Sequence, residues 1–445
     1  MVLAVTFPEV CVVGAGLAGC EAAWQLARRG KKVRLCEMKP GKFTPAHKNP
    51  LFAELVCSNS LKAARVNSAA GLLKEEMRRL GSLLLPIADS CAVAAGGALA
   101  VDRELFAKGV TEAIMNEPLI EIVSGEICEI PKDGVVIVAS GPLTSDALAA
   151  DIARLCGSEQ LSFYDAAAPI VTAESVNMEQ AFFASRYDRG DGDDYINCPM
   201  NKEQYEAFYA ALITAERAPQ HNHENPDVYE GCMPIEIMAG RGEDTIRFGP
   251  MKPVGLRDPR TGHRPWANLQ LRREDAEGTM YNLVGFQTNL KFGEQKRVFG
   301  LIPALAEAEY VRYGVMHRNT FLDSPRLLNS DFSMREHPEI FFAGQITGVE
   351  GYMESAASGI IAGINAARRI DGVESAALPR ETMLGALSAY ISESAAADFQ
   401  PMGANFGIIP PLDEHIRDKQ TRYTALSERA LAALEKAITD YNINF

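Results

Sequence analysis

Residues 10–37 read VCVVGAGLAGCEAAWQLARRGKKVRLCE, and no other stretch restricts the fold as strongly. Val10, Cys11, Val12 and Val13 form a short apolar run, as in a parallel strand buried on both faces. Gly14, Ala15, Gly16, Leu17, Ala18 and Gly19 follow as G-x-G-x-x-G. In that spacing the first glycine permits a tight turn and the second lets the backbone approach a pyrophosphate. The third lets a helix pack on the strand. Small and apolar residues at Ala22, Ala23 and Leu26 predict that helix, ending near Gly30. Residues 33–36 predict a second strand. Glu37 closes it, 18 residues after Gly19, placed to accept from ribose hydroxyls. A lone glycine motif is compatible with packing alone; strand, glycines, helix, strand and acid in register specify a dinucleotide-binding βαβ unit.

Further along, Pro40, Gly41, Pro45 and Pro50 break the chain before any long helix can form. Helices are predicted over 70–80 and 102–115. The alternation in 119–123 and 127–130 predicts a hairpin, and 135–138 a buried strand that runs into Ala139, Ser140 and Gly141. From about 168 to 310 the pattern changes to short alternating strands, proline–glycine turns and scattered basic residues. No second strand-coupled G-x-G-x-x-G occurs there, so no separate nicotinamide domain is predicted. The first pattern then resumes: 340–344 is a strand ending in Gly344, 359–369 a helix with glycines on one face, and 419–441 mostly helix. The expected organisation is a discontinuous nucleotide domain, 1–167 with 311–445, and an inserted α+β domain at 168–310.

At 445 residues the chain can bury a large core. No run of 18 apolar residues occurs, so no membrane span is expected, and no signal peptide is evident. Nine cysteines without regular spacing suggest reduced thiols and a cytoplasmic home. The absence of C-x-x-C argues against a disulfide reductase. A net charge of -14 argues against wholesale nucleic-acid binding but allows a local basic face.

Several stretches together resemble a known family. They are ELVCSNSL at 54–61, AGGALAVDR at 95–103, GPMKPVGL at 249–256, VGFQTNLK at 284–291, RYGVMHRN at 312–319, GVEGY at 348–352 and FQPM at 399–402. The 10–37 unit, the 139–141 strand end and the 340–369 segment resemble glutathione-reductase-type FAD-binding flavoproteins. More narrowly, the chain is similar to the bacterial folate- and FAD-dependent tRNA (uracil-5-)-methyltransferases. A related family, the wobble-uridine-modifying flavoproteins, carries a C-terminal helical domain that this chain is too short to hold. The resemblance implies an α/β fold: a glutathione-reductase-type, Rossmann-like FAD-binding domain with an inserted α+β domain. It also implies transfer of a one-carbon unit from 5,10-methylenetetrahydrofolate to C5 of a uridine in the T-loop of tRNA. FAD is the cofactor and NAD(P)H the reductant. The same chemistry on ribosomal RNA, a plain NAD(P)H-dependent flavin oxidoreductase and a noncatalytic RNA-binding flavoprotein remain open alternatives.

Such a reaction needs a thiolate to add at C6 of the uracil, a second group to move a proton, and a flavin beside both. By resemblance, Cys57 and Cys232 match the family's two catalytic cysteines, with Cys232 favoured as nucleophile and Cys57 as its flavin-side partner. The other seven are expected to be small buried hydrophobes. The cofactor-binding set expected is Gly14, Ala15, Gly16, Leu17, Ala18, Gly19, Glu37, Gly141, Gly344, Gln345 and Tyr352. Gln345 stands where many flavoproteins place an acid, and Tyr352 is a candidate to stack on the flavin or a base. Gln287, Asn289, His317 and Asn319 lie in family motifs and offer hydrogen bonds to folate. Arg272 and Lys291 belong to a basic group, with Arg257, Arg260, Arg264, Arg273, Lys296 and Arg297, expected to face RNA with Trp266 available for stacking. His221, His223 and Cys232 match no zinc spacing, so no metal site is expected.

Overall fold

The computed structural model describes residues 10–44, 46–157, 161–188, 194–218, 233–394 and 399–443; for 161–165 and 317–320 it describes the backbone only. Strand β1 (Val10–Val13), helix α1 (Leu17–Arg28) and strand β2 (Val33–Glu37) form where the sequence places them. β1 is the centre of a five-stranded sheet. Its order is Ile340–Phe342, Val135–Val138, β1, β2, Ile120–Ser124, and every pairing is parallel. Burial on both faces explains the unbroken apolar runs of β1 and Val135–Val138, whereas β2 carries a half-buried Arg34.

Residues 120–124 thus do not form a hairpin with 127–130. They pair with β2 at the edge of the parallel sheet, from Val33–Ile120 to Glu37–Ser124. Their alternation arises because an edge strand leaves part of its surface to solvent, which a hairpin strand does too.

The long helix Tyr352–Ile370 crosses α1 at backbone distance. A Cβ on Gly359 would stand 2.1 Å from the Ala18 carbonyl oxygen, and one on Gly363 would stand 2.8 Å from that of Ala22. The helix thereby ties the C-terminal third of the chain to the first βαβ unit.

Between these parts the chain builds a second, six-stranded sheet. Its order is Phe182–Phe183, Tyr195–Met200, Ala267–Arg273, Met280–Leu283, Ile170–Thr172, Tyr310–Arg312. It is antiparallel throughout and has its own core, which includes Phe208, Phe286 and Phe299. The chain enters through Leu161–Ala166 and leaves through Met316–Phe321, and these two strands pair antiparallel as a ribbon between the lobes. No helix among the described residues is long and apolar enough to cross a membrane.

Candidate active site at the glycine cleft and the Cys57 loop

The glycine turn is shaped by contacts that leave no room for side chains. Gly14 has φ +101°, and a Cβ there would stand 2.6 Å from the Ala139 carbonyl oxygen. A Cβ on Gly19 would stand 1.8 Å from the Gly14 carbonyl oxygen. Gly16 differs. It is the N-cap of α1, and a Cβ there would meet nothing within 4 Å. Open space at a helix N-terminus, where backbone N–H groups point outward without partners, suits a phosphate. Glu37 is buried at the end of β2. Its carboxylate accepts from the Ala15 N–H at 2.8 Å and the Lys39 N–H at 3.0 Å, so it braces the turn as well as facing the cleft.

The cleft spans about 1370 Å³, its open mouth included. Gly141 and Gly344, with φ of +74° and +87°, line it from the ends of their strands. Gln345 also faces it, donating from Nε2 to Glu350 at 2.7 Å. Helix start, acid and open glycine backbone fit a dinucleotide cofactor such as FAD.

Cys57 lies at the same cleft, in the loop 54–59. The Tyr352 hydroxyl accepts from the Cys57 N–H at 2.8 Å and the Ser58 N–H at 3.3 Å, and lies 3.0 Å from Cys57 Sγ. Burial, then the Cys57 sulfur, push the Tyr352 phenol well above its ordinary range, so it keeps its proton. Around this pair the loop is held from both lobes. Arg103 donates to the Leu55 and Val56 carbonyls, and Arg312 donates to the Val56 carbonyl at 2.8 Å. Arg272 donates to Asn59 Oδ1 at 2.9 Å and Ser58 Oγ at 2.8 Å.

Comparisons with known proteins fit this geometry. A family profile described as glucose inhibited division protein A matches residues 9–374. Two solved forms of Aquifex aeolicus GidA superpose with a TM-score of 0.70 at 16% and 17% identity. They cover 99% and 97% of this chain and 76% of theirs, a likeness that shows the fold. The methylenetetrahydrofolate–tRNA-(uracil-5-)-methyltransferase TrmFO of Symbiobacterium thermophilum is 60% identical over 432 residues, 96% of this chain and 97% of that protein. The TrmFO of Lactiplantibacillus plantarum is 56% identical, with 96% and 97% covered. The chain belongs to the TrmFO family. In this TrmFO-family chain the fold is the flavoprotein type expected, a parallel-sheet lobe with a second sheet lobe inserted.

The expected site residues of this TrmFO-family member fall into three groups. Residues 14–18 of the glycine turn, Glu37, Cys57, Gly141, Gly344, Gln345 and Tyr352 meet around one cleft, and Gly19 packs behind it against Gly14. Cys232, His221 and His223 lie outside the described residues, as do the side chains of His317 and Asn319. The rest sit elsewhere. Asn289 is buried, its Nδ2 donating to the Ala218 carbonyl at 3.3 Å and its N–H to Glu236, and Gln287 accepts the Ile235 N–H on its backbone carbonyl.

Arg272 is buried beneath the Cys57 loop rather than on an RNA-facing surface. Lys291 is exposed and paired with Glu216 at 2.5 Å. Arg260 and Arg297 are paired with Asp258 and Glu294. Trp266 is 39% exposed, with the Arg247 guanidinium 4.4 Å from its ring centre. Of the cysteines expected to be buried, Cys11, Cys20, Cys36, Cys91 and Cys198 are buried. Cys156 is half-buried, and Cys128 is exposed because its loop has no strand to carry it inward.

Sequence reasoning did not find the roles of Arg103 and Arg312. Both lie inside quoted motifs, AGGALAVDR and RYGVMHRN, which was the available signal.

Proposed function

We propose that this protein transfers a one-carbon unit from 5,10-methylenetetrahydrofolate to C5 of a uridine in the T-loop of tRNA, with FAD as cofactor and NAD(P)H as reductant. The observation that carries the reading is a thiol and a phenol 3.0 Å apart on a cleft suited to a dinucleotide, in a chain 60% identical to a protein named for this reaction. FAD, when bound, supplies the reducing equivalents that make the transferred carbon a methyl group.

The chain's own residues supply the rest. Gly16 and the first turn of α1 would hold the cofactor's phosphates, and Glu37 its ribose. Cys232 adds to C6 of the uracil, so that the ring becomes nucleophilic at C5. Cys57, on the cleft, takes the proton that leaves C5, the C5–C6 double bond re-forms and the Cys232 thiolate is expelled from C6. Tyr352 orients the Cys57 backbone and sulfur together through one hydroxyl. Exposed basic residues of the inserted lobe, Lys291 among them, contact tRNA phosphates.

Incubation of purified protein with unmodified tRNA, 14C-labelled methylenetetrahydrofolate and NADPH should place label in 5-methyluridine, mapped to the T-loop. NADPH consumption without labelled nucleoside would leave only a flavin oxidoreductase. Label in ribosomal RNA but not tRNA would move the substrate.

A further inference from the structure

Three guanidinium groups converge on Cys57 through the residues on either side of it. Arg103 and Arg312 both donate to the carbonyl of Val56, and Arg272 donates to the hydroxyl of Ser58. Arg272 is 7% exposed, and the Arg103 side chain 16%. Among the described residues that pair with them, one carboxylate answers the three: Glu274, 2.6 Å from Arg103. Burial, followed by repulsion from Arg103, pushes the Arg312 guanidinium down to about 10. Positive charge at this depth is costly unless an anion is close.

The hydrogen bonds at the sulfur point the same way. The Tyr352 oxygen already accepts two backbone N–H groups, so its own proton has one direction left, toward Cys57 Sγ at 3.0 Å. The sulfur is therefore the acceptor in that contact, a role that a thiolate fills more strongly than a neutral thiol.

The other charged groups on the cleft do not compete. Glu37 is bonded to two backbone amides, and Lys39 lies 3.5 Å from Glu54, which also accepts the Lys48 and Asn49 N–H groups. Glu126 is engaged by Lys42, and burial keeps His47 low and uncharged.

We propose that Cys57 rests as a thiolate, held by a cage of Arg103, Arg272 and Arg312 and by the Tyr352 hydroxyl. Cys57 is then ready to accept a proton without a separate base to deprotonate it first. Its identity as the acceptor rests on the proposed function; its ionisation does not.

The test is the shape of its pH profile. FAD-loaded protein is treated with iodoacetamide from pH 5.5 to 9, and modification at Cys57 is followed by peptide mass mapping, with N-acetylcysteine in the same tube. The free thiol, which ionises above pH 8.5, should gain about 50-fold or more in rate between pH 6.5 and 8.5. Cys57 should change less than about 3-fold over that range. Arg312→Met and Tyr352→Phe should each restore a climbing profile, and Arg312→Lys should keep much of the flatness. If a variant does not fold, the unmodified protein's profile still decides. A Cys57 profile parallel to the free thiol, or a flat one retained in a folded Arg312→Met protein, would overturn the proposal. The methyl-transfer reading is judged separately by labelled 5-methyluridine, so either can fail alone.

Discussion

The turn at residues 14–19 and the loop at 54–59 face one cleft, and they are built by opposite means. The turn is made mostly by neighbours in sequence, one strand, one helix and one acid, with Ala139 of a neighbouring strand closing on Gly14. The loop is made by strangers. Its fixed points come from Arg103, Arg272, Arg312 and Tyr352, drawn from both lobes. A local device tolerates change elsewhere in the molecule, whereas an assembled one reports on how the lobes dock.

The first way to break this comparison carries the largest effect. Cys232→Ala should abolish labelled 5-methyluridine while the protein stays yellow, because the glycine cleft does not need that thiol. A variant that still methylates would remove Cys232 as nucleophile. Next come the two glycines of the turn. Gly19→Val should fail to fold or lose on the order of 3 kcal/mol, since its Cβ would meet the Gly14 carbonyl. Gly16→Val should fold, by circular dichroism, and purify colourless, since its side chain would fill only the space a pyrophosphate needs. Equal loss of fold in both would erase the distinction between them.

Tyr352→Phe tests the assembled site. It strands the Cys57 and Ser58 amides, which costs ~1–3 kcal/mol at the loop. Methylation should fall at least 10-fold with FAD content unchanged, measured by flavin absorbance per chain.

The smallest effect is on pH. Burial raises Glu21 to about 7 and Glu76 to about 8 from the ordinary 4.5, although each caps a helix start through backbone amides. The folded protein thus holds protons that the unfolded chain releases. That stability is full below about pH 4.5 and is lost as pH rises through 7 and 8. Melting temperature should drop by a few degrees from pH 6 to 9, and Glu76→Gln should flatten the drop.

Much of the nucleotide lobe was legible because its signals are short-range. The apolar run of β1, the glycine spacing and Glu37 predict the turn without knowledge of any distant residue. The 419–441 helix was equally plain, and it forms as Lys419–Tyr441. The alternation at 120–124 suits a hairpin and a parallel edge strand alike, because it records exposure and not the partner. Tyr352 was found as a motif residue, but its hydroxyl contact with Cys57 spans 295 positions and leaves no local trace.

The sequence by itself determined that a dinucleotide-type βαβ unit forms, that a second lobe interrupts it, and that Cys57 lies in a loop of family character. Steric limits on glycine turns and the burial of apolar runs act between near neighbours, so they can be read along the chain. Only the tertiary structure decided that three arginines and a tyrosine surround that loop and that Arg272 is no surface residue. Desolvation and hydrogen bonding depend on which distant groups are brought together, and the order of residues does not record that.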